Sequence, residues 1–375
     1  MQTYIDEVFQ KKIVSCVANC TREVLFLKKI AALLTLLSIV TGCQKDAPGS
    51  QVPEQQSLTV LFSPGVSFNG AGYDDAILKA VVESMAEHPQ VNHSLLRPET
   101  LDQARRMAQQ WQENAGERSM LLLCGVPYEA LAPSLSPGKG RVLLLDSRQT
   151  LENGVATLQL KRYGGAYLAG ALCVSFPKMW IFKALDGDRM MDTVAGGIAD
   201  GYSATANQVA QVLVLSDSYK GTNMPDELFA HLYTYRSDMD IDGDTMLVPV
   251  CGASRMGAYM FSNNMYFLSM GVGEDCSIFS DILPFSLVYD LGGIVKDYIG
   301  RWLEGKPWPA HQDFGLSTGH VYIQYNPRYF ERIPRYVNLF SFLLSGSCLF
   351  TQEQYMEWEA RYRPIALEQE ASHAY

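Results

Sequence analysis

From Ser57 onward the chain repeats one unit, a short apolar run followed by an amphipathic helix. "SLTVLF" leads into "GYDDAILKAVVESMAEH", where Ile77, Ala80, Val81 and Met85 recur at helical spacing. "VNHSLL", the helix "ETLDQARRMAQQWQEN" and the fully apolar "SMLLLCG" follow, then "GRVLLLD" and "VATLQL". Runs apolar on both faces and separated by helices describe strands of a parallel sheet covered on both sides. The alternation then starts again, with "MWIFKAL", a helix near residues 190–204, "AQVLVLS", "PDELFAHLYTYR", "TMLVPVCG", "SRMGAYMF" and "YFLSMGVG". Two such series predict two doubly wound α/β lobes with a cleft between them, ligands meeting the carboxyl ends of the strands. "SLVYDLGGIVKDYIGRWLEGK" reads as one helix, and the segment "FGLSTGHVYIQY" follows it. The tail after residue 327 reads as helical, and its apolar run "YVNLFSFLLSG" is too short to span a bilayer.

The amino-terminal segment has a different character. Lys28 and Lys29 precede an apolar run from Ile30 to Val40, then Thr41, Gly42 and Cys43. A basic region followed by a short apolar one is an export signal, well below the ~20 residues of a membrane-spanning helix. The sequence V-T-G-C resembles a bacterial lipobox, which implies that Cys43 is acylated and becomes the mature terminus, anchored to the membrane by several chains. The 24 residues ahead of the signal do not fit an export signal, and the expected start is nearer Leu25 or Leu27. "QKDAPGSQVPEQQS", polar and rich in Pro, Gly and Gln, reads as a tether at 44–57. The expected organisation is then signal 1–43, tether 44–57, a first lobe of 57–178 plus 283–350, a second lobe of 179–282 and a tail of 351–375.

Charge and motif arguments narrow the function. A net charge of −10, with no Lys/Arg block, argues against nucleic acid as a partner. The six histidines form no H-E-x-x-H pair, no C-x-x-C remains after Cys43, and no G-x-S-x-G elbow occurs, so no metal, cofactor or nucleophile is indicated. Cys124 and Cys173 lie in apolar settings as small core residues. Asp238, Asp240, Asp242 and Asp244 resemble the start of a calcium loop, but Pro249 stands where the bidentate glutamate belongs, which favours a solvated acidic turn. "DGDR" at 186–189 either lines the cleft or caps the next helix.

The loop "PGVSFNGAGYDD" has the G-x4-G spacing of a phosphate loop at Gly65 and Gly70, but Ala71 replaces the required lysine. The loop is either a glycine turn alone or a presenter of Phe68 and Asn69, an aromatic face and an amide suited to a flat polar ligand.

At these residues the chain resembles the basic membrane protein family of solute-binding lipoproteins, which includes purine-nucleoside-binding members. Phe68, Asn69 and Tyr73 match that family's first loop, with Gly70 in place of an aspartate. Arg162 through Gly170 is similar to its "R-x-x-x-x-[FY]-L-A-G" helix, and "VCGASRMGAY" to its second-lobe glycine turn, with Arg255 added. "GVGEDC" is similar to its "G-V-D-x-D-Q" turn, with Gly273 in place of the ribose-binding aspartate, and the expected lysine falls near Pro284 or Phe285. The resemblance implies a type I periplasmic-binding-protein fold, a small polar, nucleoside-like solute, an ABC permease as partner, and an envelope location. The candidate ligand residues are Phe68, Asn69, Tyr73, Asp74, Gly125, Arg255, Glu274 and Asp275. The alternatives are a ligand-free sensory or interaction lipoprotein on the same fold, or an exported hydrolase whose triad is assembled from distant residues.

Overall fold

The computed structural model describes residues 55–66, 68, 72–185, 187–216, 224–265, 267–273 and 282–326. The signal, Cys43, the tether up to Glu54, Asn69, Glu274, Asp275 and the chain from 327 lie outside them. Among the described residues no helix is long and apolar enough to cross a membrane.

Strands β1 (Ser57–Leu61), β2 (Asn92–Leu96), β3 (Ser119–Leu123), β4 (Arg141–Leu144) and β5 (Ala156–Leu160) pair with the late strand β12 (His311–Phe314) in a parallel sheet of order β12-β5-β4-β3-β1-β2. Helix α1 (Tyr73–Glu87) and helix α7 (Leu291–Leu303) cover one face, burying Ile77, Val81, Ile294 and Val295 against Leu58, Val60, Met120 and Leu122. Helix α2 (Leu101–Asn114), capped by the Thr100 side chain, covers the other with Ala104 and Ala108, beside a 3-10 turn at Val126–Ala130 that buries Tyr128.

The second sheet has the order β7-β6-β8-β9, from β6 (Lys178–Leu185), β7 (Gln211–Ser216), β8 (Thr245–Val250) and β9 (Leu268–Ser269), all parallel. Met270 donates its N–H to Leu247 and joins β9 to β10 (Gly271–Val272). That strand continues the layer through β11 (Phe285–Tyr289) and the antiparallel β13 (Val321–Tyr325). One face carries α3 (Tyr163–Leu172) and α4 (Arg189–Ala206), the other α5 (Pro225–Tyr235) and α6 (Arg255–Met265).

The α3/α4 contact is unusually close. A Cβ at Gly201 would stand 1.9 Å from the Tyr167 carbonyl oxygen, and one at Gly170 2.0 Å from that of Ile198. Only glycine allows the two backbones to approach so far, and the Tyr163 hydroxyl ties the pair by donating to Asp200 at 2.6 Å.

The helix expected over 286–306 divides in two. Phe285–Tyr289, rich in aromatic and β-branched residues, is buried and pairs between β10 and β13. Asp290 then accepts from the Gly293 N–H and starts α7. A strand this short has no periodicity of its own to separate it from the helix that follows.

Candidate functional site

In each sheet the strand order turns back on itself once, between β1 and β3 in the first and between β6 and β8 in the second. Such switch points open a crevice at the carboxyl ends of the strands, because the two flanking loops leave in opposite directions. The loops after β1 and β3 carry Phe68, Tyr73, Asp74 and Gly125; those after β6 and β8 carry Asp188, Arg189 and Arg255.

Beside the first switch point lies a buried polar cluster. Asp146 follows β4 in a left-handed conformation with φ 57°. Arg162, at the exit from β5, donates to it through Nη1 at 2.6 Å and Nη2 at 2.9 Å, and the Leu160 N–H adds a third bond at 3.3 Å. Both side chains are buried, Asp146 at 2% exposure and Arg162 at 8%. Burial alone pushes the Asp146 carboxyl up, but the Arg162 guanidinium outweighs it and holds the pKa below the usual carboxylate value. Burial likewise works against the Arg162 charge, and Asp146 overcomes it. The Tyr289 ring, at the end of β11, lies 5.4 Å from the Arg162 guanidinium carbon. The Tyr73 hydroxyl faces the Asp146 carboxylate and helps to lower its pKa, whereas the Tyr289 hydroxyl is buried with no hydrogen-bond partner among the described residues. Buried hydroxyls without partners are rare in folded chains, because each forfeits its hydration with nothing in return.

Arg189, at the first position of α4, reaches across to the first sheet's loops. It donates to both Glu129 carboxylate oxygens, at 3.2 and 3.3 Å, and to the Asp146 carbonyl at 2.8 Å. The Asp188 side chain caps α4 by accepting from the Met191 N–H. "DGDR" therefore both caps the helix and reaches across the seam, through adjacent residues. The pocket among Asp146, Arg148, Arg162, Arg189 and Thr193 holds about 20 Å³, room for one water.

Of the expected site residues, three meet. Tyr73 packs on Gly125, where a Cβ would stand 3.4 Å from its ring. Asp74 is beside them, but its Oδ1 accepts from the Ser63 N–H at 3.0 Å and the Ser63 hydroxyl at 3.1 Å, and it is only 6% exposed. Burial raises its pKa to about 6, against the lowering effect of Ser63. Phe68 meets Phe62 edge to face at 4.8 Å and lies under the Arg97 guanidinium at 4.7 Å, so protein already covers part of its ring. Arg255 is buried in α6 and donates to the Gly252 carbonyl at 2.6 Å. Gly273 has φ +92°, a conformation that aspartate would adopt only with strain, so the backbone itself selects glycine there. Asn69, Glu274 and Asp275 fall outside the described residues.

Asp146, Arg162, Arg189, Glu129 and Tyr289 were not among the expected ligand residues. The sequence does hold a signal for two of them, charged residues at the ends of the buried strands "GRVLLLD" and "VATLQLKR". Asp240 and Asp242 are both paired with the Lys178 ammonium at 2.7 Å, and among the described residues no cluster is arranged to hold a metal. Cys124 and Cys173 are buried thiols whose pKa burial raises.

The sequence matches no family model and no curated protein. Solved structures do match. The chain superposes on an ABC-transporter solute-binding protein of Aeropyrum pernix K1 with TM-score 0.58 and 14% identity, covering 85% of this chain and 90% of that one. This is the type I periplasmic-binding-protein fold. A transcriptional activator of the comK gene from Bacillus halodurans shares it, at TM-score 0.57, 12% identity and 78% and 98% coverage. So does the trehalose repressor of Escherichia coli, at 0.54, 8%, 72% and 100%. Within the type I periplasmic-binding-protein fold, the crevice described above is the seam between the two lobes.

Proposed function

We propose that the chain is a lipid-anchored, extracytoplasmic solute-binding protein that closes on a small polar ligand and delivers it to an ABC permease, with no catalytic step. The observation that carries this reading is the convergence of loops from both lobes on a buried polar cluster in which Tyr73 faces Asp146 and the Tyr289 hydroxyl has no partner among the described residues. Closure is favoured when one ligand contacts both lobes. The solute-binding proteins among the similar structures support the role, and the resemblance around Phe68, Asn69 and Tyr73 supports a nucleoside-like solute. Asn69, Arg255, Glu274 and Asp275 would add polar contacts from the two lobes. We divide the lobes near 161, 290 and 315–320, in place of 178 and 283, because α3 packs on α4 and because β11 and β13 pair beside the second sheet. The envelope location rests on Lys28, Lys29, the apolar run and Cys43.

A thermal-shift screen of nucleosides, sugars and amino acids tests the role, since a ligand that binds only the native state raises Tm. One stabilising class is expected, and none at millimolar concentration would sink the solute reading. Labelled palmitate should enter the wild-type precursor and not Cys43→Ser.

The second reading, a sensory lipoprotein without a transported solute, is favoured by one observation. Arg189 and Glu129 tie the lobes together directly, side chain to side chain. A silent ligand screen together with a stable protein partner on purification would select it.

A further inference from the structure

The first sheet breaks its own pattern on the face beneath α2. Strands of a covered parallel sheet carry apolar side chains on both faces, as β3 does from Met120 to Leu123, all buried. The amino-terminal ends of β1, β2 and β3 instead place Ser57, Thr59, Ser94 and Ser119 side by side, with Thr59 in register with Ser94 and Ser57 with Ser119. The Ser57 hydroxyl donates to the Ser119 hydroxyl at 2.9 Å. Those of Thr59 and Ser94 have no partner among the described residues.

Above this floor is a cavity of about 310 Å³, walled by Met107, Gln110, Trp111 and Asn114 of α2. Trp111 contributes its indole ring to the wall. No ionisable side chain lines the cavity. It opens at the amino ends of the strands, the end of the sheet opposite the seam between the lobes.

We propose that this cavity is a second ligand site, for a neutral polyhydroxylated molecule the size of a monosaccharide. The chemistry follows from the lining. Rows of hydroxyls and two carboxamides exchange hydrogen bonds in both directions, as a polyol does. Trp111, Met107 and Leu96 offer apolar surface to ring C–H groups. Without an arginine, lysine or carboxylate, a charged ligand would lose its hydration with no compensating partner.

The test is isothermal titration of the purified mature chain with D-glucose, D-ribose and myo-inositol, beside glucose 6-phosphate and glucosamine as charged controls. At least one neutral compound is expected to bind and shift the tryptophan emission. Trp111→Ala should weaken that binding about tenfold by removing the indole surface that walls the cavity. Ser94→Leu, at an exposed position on the edge strand, should abolish it by filling the floor, and circular dichroism checks that each variant folds. Failure of all three neutral compounds to bind would overturn the site, as would binding indifferent to both substitutions or equal affinity for the charged controls.

Discussion

Arg162 and Asp146 meet through two parallel hydrogen bonds, 2.6 and 2.9 Å long, where the chain first leaves the first sheet for the second. The pair fixes the exit angle of β5 into α3, and the Tyr289 ring brings the second crossing against the same guanidinium. Removing one partner strands a buried charge. Arg162→Leu should therefore destabilise the chain by about 3–5 kcal/mol in urea denaturation. Arg162→Leu combined with Asp146→Leu should recover much of that loss. A double variant as unstable as the single one would mean that the pair does not act as a unit.

Arg189 is a different kind of tie, half-exposed and spanning the two lobes. Arg189→Ala should cost about 1 kcal/mol or less, since such pairs gain little in water. Its effect should be on shape, with a larger radius of gyration by small-angle scattering and unchanged secondary structure. Wild-type protein in high salt should move the same way, because screening weakens the pair. An unchanged scattering profile in both would show that Arg189 does not hold the lobes.

Asp74 sets a pH dependence. Its pKa rises to about 6 in the folded chain, so the native state binds the proton more tightly than the unfolded one. The stability this contributes is complete below the unfolded value near 4 and is lost as pH rises through 6, a change of about 3 kcal/mol. Asp74→Asn keeps an acceptor for the Ser63 N–H and hydroxyl and should flatten the stability curve between pH 4 and 6, read by denaturation at each pH.

Two glycines in helices should respond in opposite directions to alanine. At Gly201 a Cβ would meet the Tyr167 carbonyl oxygen at 1.9 Å, so α3 and α4 must separate, at a cost of about 1–3 kcal/mol. At Gly300 a Cβ meets nothing within 4 Å, and alanine should stabilise α7 by about 0.5–1 kcal/mol through its higher helix propensity. The two Tm shifts, measured side by side, separate close approach from propensity.

The buried strands were legible because their apolar runs have one physical use, to lie between two layers of helices. "SMLLL", "GRVLLLD" and "TMLVPV" could be placed in parallel sheets without coordinates. "SLVYD" could not, because a five-residue strand running straight into a helix shows no period of its own. The candidate site was legible only where local sequence carries it. Tyr73 and Gly125 do meet, whereas Phe68 turned out to be partly covered by Arg97, a residue from the loop after β2.

The order of apolar runs and helices by itself determined that this chain builds doubly wound parallel sheets, since periodicity is a property of neighbouring residues and is written along the chain. The sixteen-residue pairing of Asp146 with Arg162, the reach of Arg189 to Glu129 and the hydroxyl floor under Trp111 were decided only by the tertiary structure. Each depends on which strand ends lie side by side, and that order is set by packing between segments far apart in sequence.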